Sequence, residues 1–307
     1  MNYSLHQLKI FLTVIETESI TKAAEVLHLT QPAISIQLKN LQNQFNIPLT
    51  EIIGRKLYIT DFGREIAVHA KEIIDQMDAI KYKTLSYQGR LAGKLKLAVV
   101  STGKYIIPYF LSEFLSQNSS IELEIDVTNK SKVIEKLENN VIDLALVSTI
   151  PMNLKTEGLS LIKNKLYLVG KAESTFSKKI IDTQFLQTIP LIYREQGSST
   201  RYLMEQFLEL NGVKNQNTLE LTSNEAVKQA VLAGLGFSIM PLIGLRNEIS
   251  SGELKIIPIN RLPIVTEWHL IWLSDKKHSF VSQAFIEHVK ENKNSIIDTY
   301  FSWYDNY

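Results

Sequence analysis

Three short hydroxyl-bearing turns mark where this chain could hold a small ligand. Arg194-Glu195-Gln196-Gly197-Ser198-Ser199-Thr200-Arg201 follows a strand-like apolar run, 189–193, and precedes a helical one, 200–210. Free N–H groups at a helix start, three consecutive hydroxyls and an arginine together suit an anion. Helix capping is the competing reading, and it needs only one of those hydroxyls. Ser101-Thr102-Gly103 and Ser148-Thr149 also follow strand-like runs, and Thr128 follows another. Ligands of open α/β sheets lie outside the carboxyl ends of strands. Ser101, Thr102, Thr128, Ser148, Thr149, Ser198, Ser199, Thr200 and Arg201 are therefore the candidate ligand residues, converging on a cleft between two lobes.

Other chemistry is sparse. Gly234-Leu235-Gly236 lacks the third glycine of a dinucleotide fingerprint, and there is no P-loop, G-x-S-x-G or H-E-x-x-H run. His6, His28, His69, His269, His278 and His288 are scattered without metal-ligand spacing, and each reads better as a surface or packing residue. The chain has no cysteine, which removes disulfides, thiolate catalysis and thiol redox sensing together. No catalytic residue, resident metal or cofactor is expected.

A second constellation lies near the N-terminus. Leu5, Leu8, Phe11, Leu12 and Ile15 recur at helical spacing. Ser19 and Thr21 offer cap oxygens to a second helix, and Pro32 suits the first turn of a third. In that third helix Ile34, Leu38, Leu41 and Phe45 form one narrow apolar stripe. Residues 52–60 read as a hairpin with Gly54, Arg55 and Lys56 at its tip. Helix, break, helix and basic-tipped hairpin is the order of a winged helix-turn-helix, whose second helix enters the DNA major groove N-terminus first. The DNA-binding candidates are then Thr30, Gln31, Pro32, Ser35, Ile36, Lys39, Arg55 and Lys56. Gln31 can pair with adenine, Ser35 with a base or phosphate, and Lys39 with a phosphate. Ile36 suits a thymine methyl, or equally a packed helix crossing.

These residues need elements to position them. With 307 residues, 45% of them hydrophobic, the chain is long enough for two domains. Thirty-three basic residues against 32 acidic ones leave a net charge of +1, so DNA binding must rest on local features. Ile66, Ala70, Ile73, Met77, Ile80, Thr84 and Tyr87 follow a 4, 3 alternation, the seam of a coiled coil. That seam predicts a self-association helix, with packing on its own domain as the alternative. Beyond residue 93, strand-like runs at 94–100, 121–127, 142–147, 166–169, 189–193, 237–240, 255–259 and 268–273 alternate with helical ones. The alternation predicts two small, open, mostly parallel α/β sheets. The aromatic end, residues 300–307, has no assigned element. The N-terminus carries no signal pattern, and the apolar stretch 229–245 is interrupted by glycine and proline, so neither export nor membrane insertion is expected and the cytoplasm is the expected compartment.

The run Ile20-Thr21-Lys22-Ala23-Ala24-Glu25-Val26-Leu27-His28-Leu29-Thr30-Gln31-Pro32-Ala33-Ile34-Ser35-Ile36-Gln37-Leu38 resembles the signature of the LysR-type transcriptional regulators, and Gly54, Thr60 and Gly63 match the wing and linker. The resemblance implies an α/β protein with an N-terminal winged helix-turn-helix (1–60), a linker helix (61–92) and a C-terminal periplasmic-binding-protein-like effector domain (93–307). The domain would consist of lobe I, about 93–166 and 267–307, and lobe II, about 167–266. Arg55 matches the wing-tip arginine that family members can place in the minor groove. Thr50 and Ile52 depart from the usual Leu-Phe-x-Arg, and Asp61-Phe62-Gly63 from the usual Glu-Ala-Gly. The segments 194–201 and 223–231 resemble the subgroup of Calvin-cycle and cysteine-metabolism regulators, which implies an anionic effector. The implied protein is a homodimer or homotetramer on pseudo-palindromic double-stranded promoter DNA, with RNA polymerase as a further candidate partner. A ligand-independent architectural DNA-binding protein, and an enzyme or solute-binding domain with an assembly segment, are the alternatives.

Overall fold

Residues 2–54, 56–87, 90–173, 179–214 and 218–307 are described in the computed structural model, in which the chain forms two units, Met1–Arg90 and Leu91–Tyr307. In the first, α1 (Leu5–Thr17) starts at a capping box: Ser4 Oγ accepts from the Gln7 amide and Gln7 Oε1 accepts from the Ser4 amide. Ser19 caps α2 (Ile20–Leu27), and His28 ends it in the left-handed region at φ 53°. Thr30 caps α3 (Gln31–Gln42), with Pro32 in its first turn. The stripe read from the sequence is inside: Ile34, Leu38 and Leu41 are buried against Leu8, Phe11, Val14, Ala23 and Ala24, with Phe45 packed beside them.

Strands β1 (Thr50–Ile53) and β2 (Lys56–Ile59) form the antiparallel hairpin, with Gly54 supplying the positive φ of its turn. Thr50, where the family has phenylalanine, donates through both its amide and its hydroxyl to Gln42 Oε1, at 3.1 and 3.0 Å. A polar tie between α3 and the hairpin thus replaces a ring. The long helix α4 (Asp61–Tyr87) leaves the hairpin at Gly63, where a Cβ would come within 2.1 Å of the Leu49 carbonyl oxygen. Only glycine allows that approach.

The seam divides in two. Ile66 and Ala70, with Ala67 and Ile74, pack into the core of the first unit. Ile73, Met77 and Ile80 are exposed, Ile80 at 71%. The first half of the heptad pattern is therefore occupied by this unit's own core, which corrects the reading of the whole stripe as an association surface. Only the second half is open. The side chain of Tyr87 lies outside the described residues.

In the second unit, lobe I is built on β3 (Gly93–Val100), α5 (Ile107–Gln117), β4 (Ile121–Thr128), α6 (Lys130–Glu138) and β5 (Leu144–Val147). Strand β3 runs parallel to both β4 and β5. The chain then crosses on β6 (Thr156–Lys171) into lobe II, made of β7 (Leu191–Arg194), α7 (Ser199–Leu210), β8 (Thr218–Leu221), α8 (Asn224–Leu232), β9 (Ser238–Pro241), α9 (Arg246–Ser250) and β10 (Leu254–Ile256). It returns on β11 (Ile264–Leu273) and ends in α10 (Phe280–Phe301), followed by a 3-10 turn over Ser302–Asn306.

This corrects the expectation of two separate, mostly parallel sheets. Among the described residues seven strands share one hydrogen-bonded network in the order β10-β6-β11-β5-β3-β4, with β9 on β6, and β7 and β8 form a further parallel pair that a parallel bridge from Leu191 to Phe237 joins to the start of β9. Strands β6 and β11 are antiparallel because one takes the chain out to lobe II and the other brings it back. Each lobe still has its own core, one around Phe110, Trp268 and Phe285, the other around Leu168, Leu191 and Ile239. The C-terminal aromatic segment is ordered against lobe I. Tyr304 is buried, and its hydroxyl accepts from the Lys165 amide at 2.8 Å. Burial holds that phenol far above its ordinary pKa.

Candidate functional site

On α3 the polar candidates lie opposite the buried stripe. Thr30, Gln31, Pro32, Ile36 and Lys39 are exposed and Ser35 is half-buried. Ile36 is 57% exposed, so the packed-crossing alternative does not describe it. The Thr30 hydroxyl caps the helix by accepting from the Ala33 amide at 3.4 Å. Lys56 is exposed at the start of β2, and Arg55 lies outside the described residues. The unit therefore offers an amide, two hydroxyls, a branched apolar side chain and an ammonium group along the exposed side of α3, and a second ammonium group on the hairpin at Lys56. These are the types that read base edges and hold phosphates in a major groove.

In the second unit, the parallel ladder fixes the lobe I turns. Strand β3 lies between β4 and β5, with Val100 opposite Thr128, so Ser101 and Thr102, Thr128, and Ser148 and Thr149 all stand at one carboxyl edge. Thr102 and Ser148 are buried. Lobe II brings Ser198, Ser199 and Thr200, all buried, from the start of α7. Ser198 holds the cap position but its side chain makes no capping hydrogen bond. The bland reading of that hydroxyl as a helix cap is therefore not what the geometry uses.

The lobes meet through these turns. Arg194 Nη1 donates to Ser101 Oγ at 3.0 Å. The hydroxyls of Thr149 and Ser199 lie 3.5 Å apart. The Ser131 amide donates to the Gly197 carbonyl at 3.3 Å. Gly197 is needed twice over. Its φ is +83°, and a Cβ there would sit 2.7 Å from Ser131 Oγ. Seven of the nine candidates are thus hydroxyls on the facing edges of Ser101–Arg194 and Thr149–Ser199 contacts or adjacent to them, and Thr128 sits at the neighbouring strand end.

Arg201 is the departure. Its guanidinium donates to Glu205, Glu220 and the Arg194 carbonyl, and lies 5.8 Å from the centre of the Tyr193 ring. Burial works against its charge, but bonds to Glu220 and Glu205 outweigh that and hold its pKa up. It faces a groove of about 540 Å³ lined by α7 and β8, and is committed to two carboxylates rather than to the hydroxyl cluster.

Arg194 is the residue that sequence reasoning passed over. It ends β7, is 4% exposed, and is gripped by Glu195 through Nε and Nη2 at 2.8 and 2.9 Å. A buried arginine at a strand end beside three hydroxyls was the available signal. Lys130 opens α6 two residues after Thr128, and burial lowers its ammonium below the usual lysine range. Asn224, at the start of α8, is fully buried, and neither amide atom has a partner.

Residues 5–64 match the family model described as bacterial regulatory helix-turn-helix protein, lysR family, and residues 88–294 match the LysR substrate binding domain. The chain is 37% identical over 289 residues to the HTH-type transcriptional activator CmpR of Synechocystis sp., covering 94% of this chain and 95% of that one. It is 34% identical to the RuBisCO operon transcriptional regulator of Acidithiobacillus ferrooxidans, covering 93% of each. The Synechocystis CcmR regulatory domain, solved in complex with 2-PG, is 32% identical with a TM-score of 0.63, over 66% of this chain and 97% of that one. Full-length CbnR, solved in complex with its target DNA, at 19% identity and a TM-score of 0.69, shares the fold over 94% of this chain and 99% of its own. With a matching helix-turn-helix, a matching effector-domain model over most of the remainder, and relatives aligned end to end, the chain belongs to the LysR family of DNA-binding transcription regulators, in the Calvin-cycle subgroup.

Proposed function

We propose that this regulator reads a promoter half-site with Gln31, Ser35, Ile36 and Lys39, and that a small phosphorylated or carboxylated metabolite bound between its lobes adjusts how its DNA-binding units are presented. The observation that carries the effector half is the facing pair of hydroxyl turns, Ser101 with Arg194 and Thr149 with Ser199, backed by buried Thr102, Ser148, Ser198 and Thr200. An anion there accepts from hydroxyls and a guanidinium already held in place, so little ordering cost opposes binding. The CcmR domain solved with 2-PG makes a phosphorylated two- or three-carbon acid the first compound to test. Thr128 and Lys130 extend the same edge. Arg201 acts on this reading by fixing the Arg194 carbonyl rather than by touching the ligand.

The exposed half of the α4 seam supports self-association, and a two-fold dimer supports a pseudo-palindromic site. Linked units bind tightly even where one binds weakly, through effective concentration. RNA polymerase is the partner through which promoter occupancy would act. The reading is of a cytoplasmic regulator with no catalytic step and no resident cofactor or metal; no helix among the described residues is long and apolar enough to cross a membrane.

The test is calorimetry with 2-phosphoglycolate on the full chain, alongside DNA binding to its own upstream region. Thr149→Val combined with Ser199→Ala should weaken effector binding by at least about tenfold, two hydroxyl contacts at about 1 kcal/mol each, and leave DNA affinity without effector unchanged. Gln31→Ala should flatten base preference in a binding-site selection. Undiminished effector binding in the first variant, or unaltered selectivity in the second, refutes the corresponding half. A ligand-independent architectural role predicts no thermal shift with any anion.

A further inference from the structure

A second cavity, of about 300 Å³, opens beside the C-terminal turn. Its walls come from both lobes and from the end of the chain: Lys104, Tyr105 and Tyr109 before and on α5, Arg246 and Glu248 on α9, Tyr300 in the last turn of α10 and Trp303 in the 3-10 turn after it. None of the hydroxyls assigned to the first cleft lines it. Its charges are arranged unevenly. Lys228 Nζ is buried and bridges Glu248 and Glu225, at 2.6 and 3.1 Å. Tyr105 donates its hydroxyl to Glu225 at 3.3 Å, so that carboxylate is doubly committed.

Lys104 and Arg246 have no carboxylate partner among the described residues. Each ion instead lies 5.1 Å from the centre of an aromatic ring, Tyr105 and Trp303 respectively. Cation–π contact is a weak substitute for a counter-ion at a partly exposed site. Two unmatched cations and aromatic walls at one cavity describe a receptor for an anion carrying a flat apolar body.

We propose that this cavity is a second ligand site, for a small aromatic anion. Lys104 and Arg246 take its acidic group, and the walls of Tyr109, Tyr300 and Trp303 take its ring. Because Lys104 belongs to lobe I and Arg246 to lobe II, the anion ties the two lobes together at a place separate from the hydroxyl turns. Occupancy of one site therefore changes affinity at the other, in both directions equally.

The experiment is calorimetric titration of the full-length protein with phenyl phosphate, with inorganic phosphate as the comparison without a ring. Lys104→Ala/Arg246→Ala changes two side chains outside the cores, and Trp303→Leu removes ring area while keeping the charges. Thr149→Val/Ser199→Ala disables the first cleft. Saturable binding of phenyl phosphate that falls at least about tenfold in Lys104→Ala/Arg246→Ala and in Trp303→Leu, persists in Thr149→Val/Ser199→Ala, and exceeds that of inorganic phosphate supports the proposal. It is overturned by no saturable binding at about 1 mM, by equal binding of inorganic phosphate, or by loss in the cleft variant alone. Should Lys104→Ala/Arg246→Ala fail to fold, Trp303→Leu decides by the same criterion.

Discussion

Arg194 shows how one side chain can be structural and functional together. It is buried, doubly bonded to Glu195, and still has Nη1 free to reach Ser101 in the other lobe. Arg194→Met should cost about 3–5 kcal/mol in urea unfolding, because it strands the Glu195 carboxylate with little water around it. Adding Glu195→Gln to that variant should recover a good part of the loss, since the stranded charge goes with it. A double variant no more stable than Arg194→Met would mean that the ion pair is not what the arginine supports. The neighbouring Arg201 was half legible in the sequence. Glu205 stands four residues on, at helical pairing distance, and could have told that the guanidinium was already spoken for. Glu220, its other partner, lies on β8, a four-residue strand too short to signal itself by alternation.

At the scale of elements, helix α4 tests the difference between pattern and use. Ile73→Glu, Met77→Glu and Ile80→Glu together should shift the protein toward monomer in sedimentation velocity with helix content kept, because those positions are exposed within the chain. Ala70→Gln should do the reverse. It should leave association alone and cost about 1–3 kcal/mol, since Ala70 is 1% exposed in the winged-helix core. Retained dimers in the first variant would place the association surface elsewhere. The heptad spacing was plain in the sequence, but spacing cannot say which partner fills a seam. The α3 stripe was legible because its residues and their partners lie within 60 positions and keep one period. Strand β6 was not. Only 166–169 stood out, because Gly158 and Asn164 interrupt its alternation, and its extended form is imposed by pairing with β11, about a hundred residues away.

At the scale of the molecule, tyrosines set an alkaline limit. Tyr105, Tyr167, Tyr193 and Tyr304 all resist ionisation, in each case chiefly because burial disfavours the phenolate. An unfolded chain ionises its tyrosines near pH 10, while these folded ones keep their protons to higher pH. Between those limits the folded state binds more protons, so stability falls as pH rises; below about pH 10 these groups contribute no slope. Tyr304→Phe should make the alkaline fall shallower and cost about 1 kcal/mol at neutral pH, where the Lys165 amide loses its acceptor. Urea midpoints measured from pH 8 to 11 check both effects. An alkaline slope equal to that of the unchanged protein would remove Tyr304 from the account.

The continuity of β6 and β11 bears on what kind of signal this molecule can send. Both strands belong to each lobe and are laddered to one another from Ile264 opposite Leu166 to Leu273 opposite Thr156. Any rotation of one lobe against the other has to be taken up along the paired strands that both share. Metabolite binding is therefore expected to reach the rims of the domain as a change of twist carried along these two strands.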